Sequence, residues 1–82
     1  MLKGQVISNI VSTRKQAALV GSKFLEVQLI ENNQMTDKFI IAVDSVGAGI
    51  GEIVLVTTGS GARLALHNKE TPTDAVVVGI VD

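Results

Sequence analysis

Lys23-Phe24-Leu25-Glu26-Val27-Gln28-Leu29-Ile30 is the stretch on which the fold turns. Leu25, Val27 and Leu29 fall on one side of an extended chain, Glu26 and Gln28 on the other, because successive side chains of a strand point to opposite faces. Polar turn chemistry follows at once in Glu31-Asn32-Asn33-Gln34, and asparagine tolerates the left-handed backbone of tight turns. The segment reads as a half-buried strand entering a turn.

Four further β-rich runs flank it: Gly4 to Val11, Lys38 to Val43, Glu52 to Thr58 and Ala75 to Val81. Each is bounded by turn residues. Polar loops such as Ser12-Thr13-Arg14-Lys15 and His67-Asn68-Lys69-Glu70 separate them. Ser60 stands where it can cap a short helical turn over Ala62 to Leu66. The only proline, Pro72, precedes the last run, where its missing N–H does no harm. The 82 residues make one domain, with no linker or internal repeat. Five strands and one short helix fit an all-β fold: a small, partly closed antiparallel barrel of the oligonucleotide/oligosaccharide-binding (OB) type. A two-layer sandwich is the alternative, disfavoured because so few strands leave open edges.

Three of the runs do not alternate. Phe39-Ile40-Ile41-Ala42-Val43, Ile53-Val54-Leu55-Val56 and Ala75-Val76-Val77-Val78-Gly79-Ile80-Val81 are apolar on both faces. A strand with one wet face should alternate, and the chain is too short for crossover helices to cover a parallel sheet. One small barrel interior takes one face of each strand. Leaving the other faces wet would forfeit several kcal/mol at about 25 cal/mol per Å², and large exposed apolar patches are uncommon on monomers. The expectation is obligate self-association.

Composition removes most other functions. There is no Cys, and the lone His67 cannot build a metal site without partners at ligand spacing. Neither can it serve Ser12, Ser45 and Ser60 as a catalytic base in any credible arrangement. No enzyme, cofactor or metal site is expected. The formal net charge is -1 and the only aromatics are Phe24 and Phe39, a poor base-stacking surface, and core packing is the expected fate of both. Arg14, Lys15 and Lys23 could form only a small basic patch. A nucleic-acid-binding barrel is therefore the alternative, not the leading reading. No apolar run reaches the length of a membrane span, no signal-peptide core opens the chain, and the absence of cysteine fits a reducing cytoplasm.

The run Asp44-Ser45-Val46-Gly47-Ala48-Gly49-Ile50-Gly51-Glu52 invites comparison with a dinucleotide fingerprint. It fails on context: a strand, not a helix, follows the glycines, and their spacing is wrong. The plainer reading is a glycine-dependent connection requiring positive φ or close backbone approach. Thr58-Gly59-Ser60-Gly61-Ala62-Arg63 is a second glycine cluster, and no lysine follows it as in a phosphate loop.

These segments, in order, carry a resemblance. Val11-Ser12-Thr13-Arg14-Lys15, Gly21-Ser22-Lys23-Phe24-Leu25, Ala42 through Val56, Gly59-Ser60-Gly61-Ala62-Arg63 and Asp74 through Asp82 together resemble the bacterial microcompartment vertex family, EutN/CcmL. Gly61 departs mildly, standing where many members carry Ser or Ala. The resemblance implies a ring-shaped homopentamer capping the corners of a polyhedral protein shell in the bacterial cytoplasm, with hexameric shell proteins as partners. It also leads us to expect Val46, Gly47, Ala48, Gly49 and Gly51 at or near the subunit interface or ring axis, with Arg63 supporting assembly through a salt bridge or carbonyl contacts.

Overall fold

A computed structural model describes residues 1–11, 23–59, 62 and 74–82. Five strands are present among them: β1 (Leu2–Ile10), β2 (Phe24–Glu31), β3 (Gln34–Asp44), β4 (Ile53–Thr58) and β5 (Ala75–Val81). They close into a barrel in the order β1-β2-β3-β5-β4, with β4 returning to β1. The expected barrel is thus fully closed, and β3 and β5 run parallel where Val43 meets Val76 and Asp44 meets Val77. The parallel pair follows from parity. Strands alternating in direction around a closed ring must be even in number, so five strands force at least one parallel neighbour. The other four pairings are antiparallel.

The β2–β3 connection is a two-residue turn. Asn32 and Asn33 have φ of 53° and 61°, and Glu31 pairs directly with Gln34, as a primed hairpin turn requires. Strand β3 consequently begins four residues before the Lys38 expected from sequence. Gln34, Met35 and Asp37 are exposed, so no apolar alternation announces them. A bulge removes Leu29 from the β2–β3 register, and its carbonyl accepts a hydrogen bond from Thr36 Oγ1 at 2.8 Å.

The barrel interior holds Val6, Leu25, Val27, Ala42, Val54, Val56, Ala75 and Val77, closed at one end by Ala48. Gly4 on β1 is part of this packing: a Cβ there would lie 2.6 Å from the Gln28 carbonyl oxygen. Any side chain would push β1 off β2. A second cluster sits outside the barrel, where Val43 and Val76 pack with Ala62, against Phe24 and Val78. Here the structure corrects the expectation that the outer faces all need another chain. Ala62 packs over the β3–β5 seam from within the same chain. Ala62 is helical, as expected. Ser60 and the rest of the Ala62–Leu66 turn lie outside the described residues.

Elsewhere the surplus stays uncovered. Phe39 and Ile41, on the outward face of β3, are 50% and 51% exposed. Phe39 is therefore not the core residue that its place near a strand start suggested.

Candidate functional site

Asp44 ends β3 and organises the glycine-rich loop that follows. Its Oδ1 accepts the N–H groups of Val46 at 3.0 Å and Gly47 at 3.1 Å, and its Oδ2 that of Ala48 at 3.0 Å. The side chain is only 2% exposed, with Lys23 Nζ 3.8 Å from Oδ2. Lys23 Nζ also donates to the Ala48 carbonyl at 2.9 Å. Three amides and one ammonium thus converge on one carboxylate, the arrangement by which short backbone nests hold anions.

The remainder of the loop is tied just as closely. Ser45 Oγ donates to the Val77 carbonyl at 2.6 Å. Gly49 N–H donates to Glu52 Oε1 at 2.6 Å, and Glu52 N–H returns to the Gly49 carbonyl at 3.2 Å. Gly51 N–H donates to Val6 O at 2.8 Å, and Val6 N–H to Glu52 O at 3.0 Å. Gln5 Nε2 adds a bond to Gly51 O at 3.0 Å. Gly47 and Gly51 have φ of 80° and 92°, a region where a Cβ costs free energy. Gly49 has no such φ, and a Cβ there would stand 3.2 Å from Glu52 Oε1.

This geometry explains why the glycine run is no nucleotide loop. The N–H groups that could cradle phosphate already hold Asp44. What the loop presents outward is apolar.

 Ala48 itself is fully buried, and Val46 and Ile50 are 40% and 63% exposed. Sequence reasoning singled out the glycines and missed Asp44 and Lys23, which hold them in place. The legible signal was an aspartate at a strand end followed by small residues, the pattern of a side chain that bonds its own downstream backbone.

Of the second glycine cluster, Gly59 has φ of 70°, donates its N–H to Asp74 O at 2.8 Å, and accepts from Ala62 N–H at 3.1 Å. Arg63, His67, Arg14 and Lys15 lie outside the described residues. Lys23 is engaged by the loop. Among the described residues, no group of three or more His, Cys, Asp or Glu comes together as a metal site would need.

A closed β-barrel of five strands whose glycine loop is filled by its own carboxylate defines a small scaffold module, with no reaction centre among the described residues. Comparison with known proteins then gives the family. Residues 1–82 match the family described as ethanolamine utilisation protein EutN/carboxysome, and the chain belongs to that EutN/CcmL family. It is 45% identical over 80 residues to the carboxysome shell vertex protein CcmL of Gloeobacter violaceus, covering 96% of this chain and 80% of that one. It is also 45% identical over 83 residues to the bacterial microcompartment shell vertex protein GrpN of Rhodospirillum rubrum, covering 100% and 93%. The solved structure of Gloeobacter violaceus CcmL superposes with a TM-score of 0.95 at 43% identity, covering 100% of this chain and 86% of the other. The GrpN pentameric microcompartment shell protein superposes with a TM-score of 0.90 at 43% identity, covering 100% and 94%.

Proposed function

We propose that this chain is a structural, non-catalytic subunit of a bacterial microcompartment shell in the cytoplasm, assembling as a ring of five that closes the shell's vertices. The observation that carries the reading is the match along the whole chain to shell vertex proteins, one of them solved as a pentamer. Physical chemistry supports it independently. Phe39 and Ile41 lie side by side in register on the outer wall, and an apolar patch of that kind favours a protein partner over water.

The geometry of shells makes the role intelligible. A flat lattice of hexagonal tiles cannot close on itself, and fivefold units supply the missing curvature. Head-to-tail contacts close into a ring when the rotation per subunit suits the number. Hexameric shell proteins are the proposed neighbours of that ring. Within it, the pinned loop carrying Val46, Gly47, Ala48, Gly49 and Gly51 lies at or beside the subunit contacts, with Val46 and Ile50 as the side chains that reach outward.

Native mass by light scattering tests this directly. Five chains of 8.6 kDa each are expected in one particle, and a mass of one chain would overturn the reading. Co-expression with hexameric shell proteins should give closed polyhedra; open sheets or tubes that persist with the chain present would count against the vertex role.

A further inference from the structure

The register of the barrel carries one surface row around its outside. Phe39 on β3 pairs with Gln28 on β2, Gln28 with Gln5 on β1, Gln5 with Ile53 on β4, and Ile53 with Val81 on β5. Partners directly opposite in a sheet share a face. The row is therefore apolar at one end, polar through the middle and apolar again at the other end.

Neighbouring rows repeat the theme. Ile41 pairs with Glu26, and Glu26 with Ser8, whose hydroxyl donates to Glu26 Oε1 at 3.2 Å. On the other side Lys3 pairs with Leu55, and Leu55 with Gly79. Leu55 lies across Gly79, with its Cδ1 3.6 Å from where a Cβ would stand. Half-buried Ile30, beside Lys3 and opposite the exposed Met35, and Ile7, exposed at the β1 bulge, are the apolar interruptions of this mainly polar wall.

Three outer walls result. The β1–β2 wall is mainly polar, with Lys3, Gln5, Ser8, Glu26 and Gln28 outnumbering Ile7 and Ile30. To one side lies the β3 flank of Phe39 and Ile41; to the other lies the β4–β5 flank of Ile53, Leu55 and Val81. Between the flanks on the far side, the β3–β5 seam is already covered by Val43, Val76 and Ala62 packing with Phe24 and Val78.

The structure assigns the ring contact to these two flanks: we propose that the β3 flank of each copy seats on the β4–β5 flank of the next. This rests on the ring reading above and adds which surfaces meet. A closed ring of identical chains needs a heterologous contact, two different and complementary patches on every subunit. Two separated apolar flanks with a polar wall between them meet that need. A single patch would suit a twofold dimer, which ends with two chains. The occupant of each flank is a second copy of this chain, since the chain supplies both halves of the contact and the solved GrpN relative is pentameric.

Mixing two variants tests the assignment. Phe39→Asp with Ile41→Asp spoils only the β3 flank, and Ile53→Asp with Val81→Asp only the β4–β5 flank. Each variant alone should run at the mass of one chain. An equimolar mixture should give particles of two chains, because one good contact survives between unlike copies and neither outer flank can extend the chain further. Serine in place of aspartate at the same four positions guards against unfolding, with cooperative thermal melting by circular dichroism as the control. If the unsubstituted protein forms its ring and the folded variants still form it too, the flank assignment is overturned while the ring stands. Separate single-chain peaks in the mixture would overturn it equally. A single-chain mass for the unsubstituted protein removes the ring reading, and the assignment with it.

Discussion

Two of the chain's reversals use different physical means, one at Asn32-Asn33 between β2 and β3 and one through the glycine loop between β3 and β4. The hairpin turn is local. Two residues with positive φ and the flanking ladder suffice, and its tip is exposed and polar. The glycine loop is held from outside itself: by the buried Asp44 carboxylate, by Lys23 at the entry to β2, by Val77 on β5, and by Val6 on β1. A turn specified by neighbours in sequence survives changes elsewhere. A loop specified by four elements converts any change in those elements into a change of its own shape, and its outward residues Val46 and Ile50 move with it.

That contrast predicts a graded set of losses, all read as urea midpoints at one protein concentration, because assembly makes stability depend on concentration. Asp44→Ala should cost most, about 2–3 kcal/mol, since it strips the acceptor from three amides and leaves a buried hole. Asp44→Asn should recover part of this by keeping one carbonyl oxygen. A loss below that of an ordinary surface substitution would end the idea that the carboxylate builds the loop.

Gly51→Val should cost less, about 1–2 kcal/mol, the typical strain of a left-handed conformation. Beyond its chain neighbours no atom lies within 4 Å of its would-be Cβ, so a Cβ meets no crowding and a matching Gly51→Ala loss would show that backbone alone is at stake. Asn33→Gly at the hairpin should be smallest, within about 0.5 kcal/mol of no effect, because Asn-Gly is a preferred pair for such a turn. A large loss there would mean the hairpin tip is not the self-sufficient element described.

Much of the fold was legible. The alternation of Leu25, Val27 and Leu29 against Glu26 and Gln28 gave β2 and its buried face, and all three apolar residues are buried. The five β-rich runs became five strands because β-branched residues bounded by turn formers have few other stable arrangements. The start of β3 was hidden, since Gln34 to Asp37 carry no apolar period. In the site, the glycines were visible and their purpose was not. Positive φ at Gly47 and Gly51 is a local property that residue type advertises. The bond from Lys23 to Ala48 joins positions 25 apart in the chain, and no spacing rule reaches that far.

The sequence by itself determined the strands, their turns and an excess of apolar surface, because these depend on side-chain periodicity and residue type along a single run. Only the tertiary structure decided how that excess is divided. Val43 and Val76 are buried with the chain's own Ala62, whereas Phe39 and Ile41 stay exposed. Strands of equal hydrophobicity meet different fates according to what crosses above them, and that is set by barrel closure, which brings distant parts of the chain together.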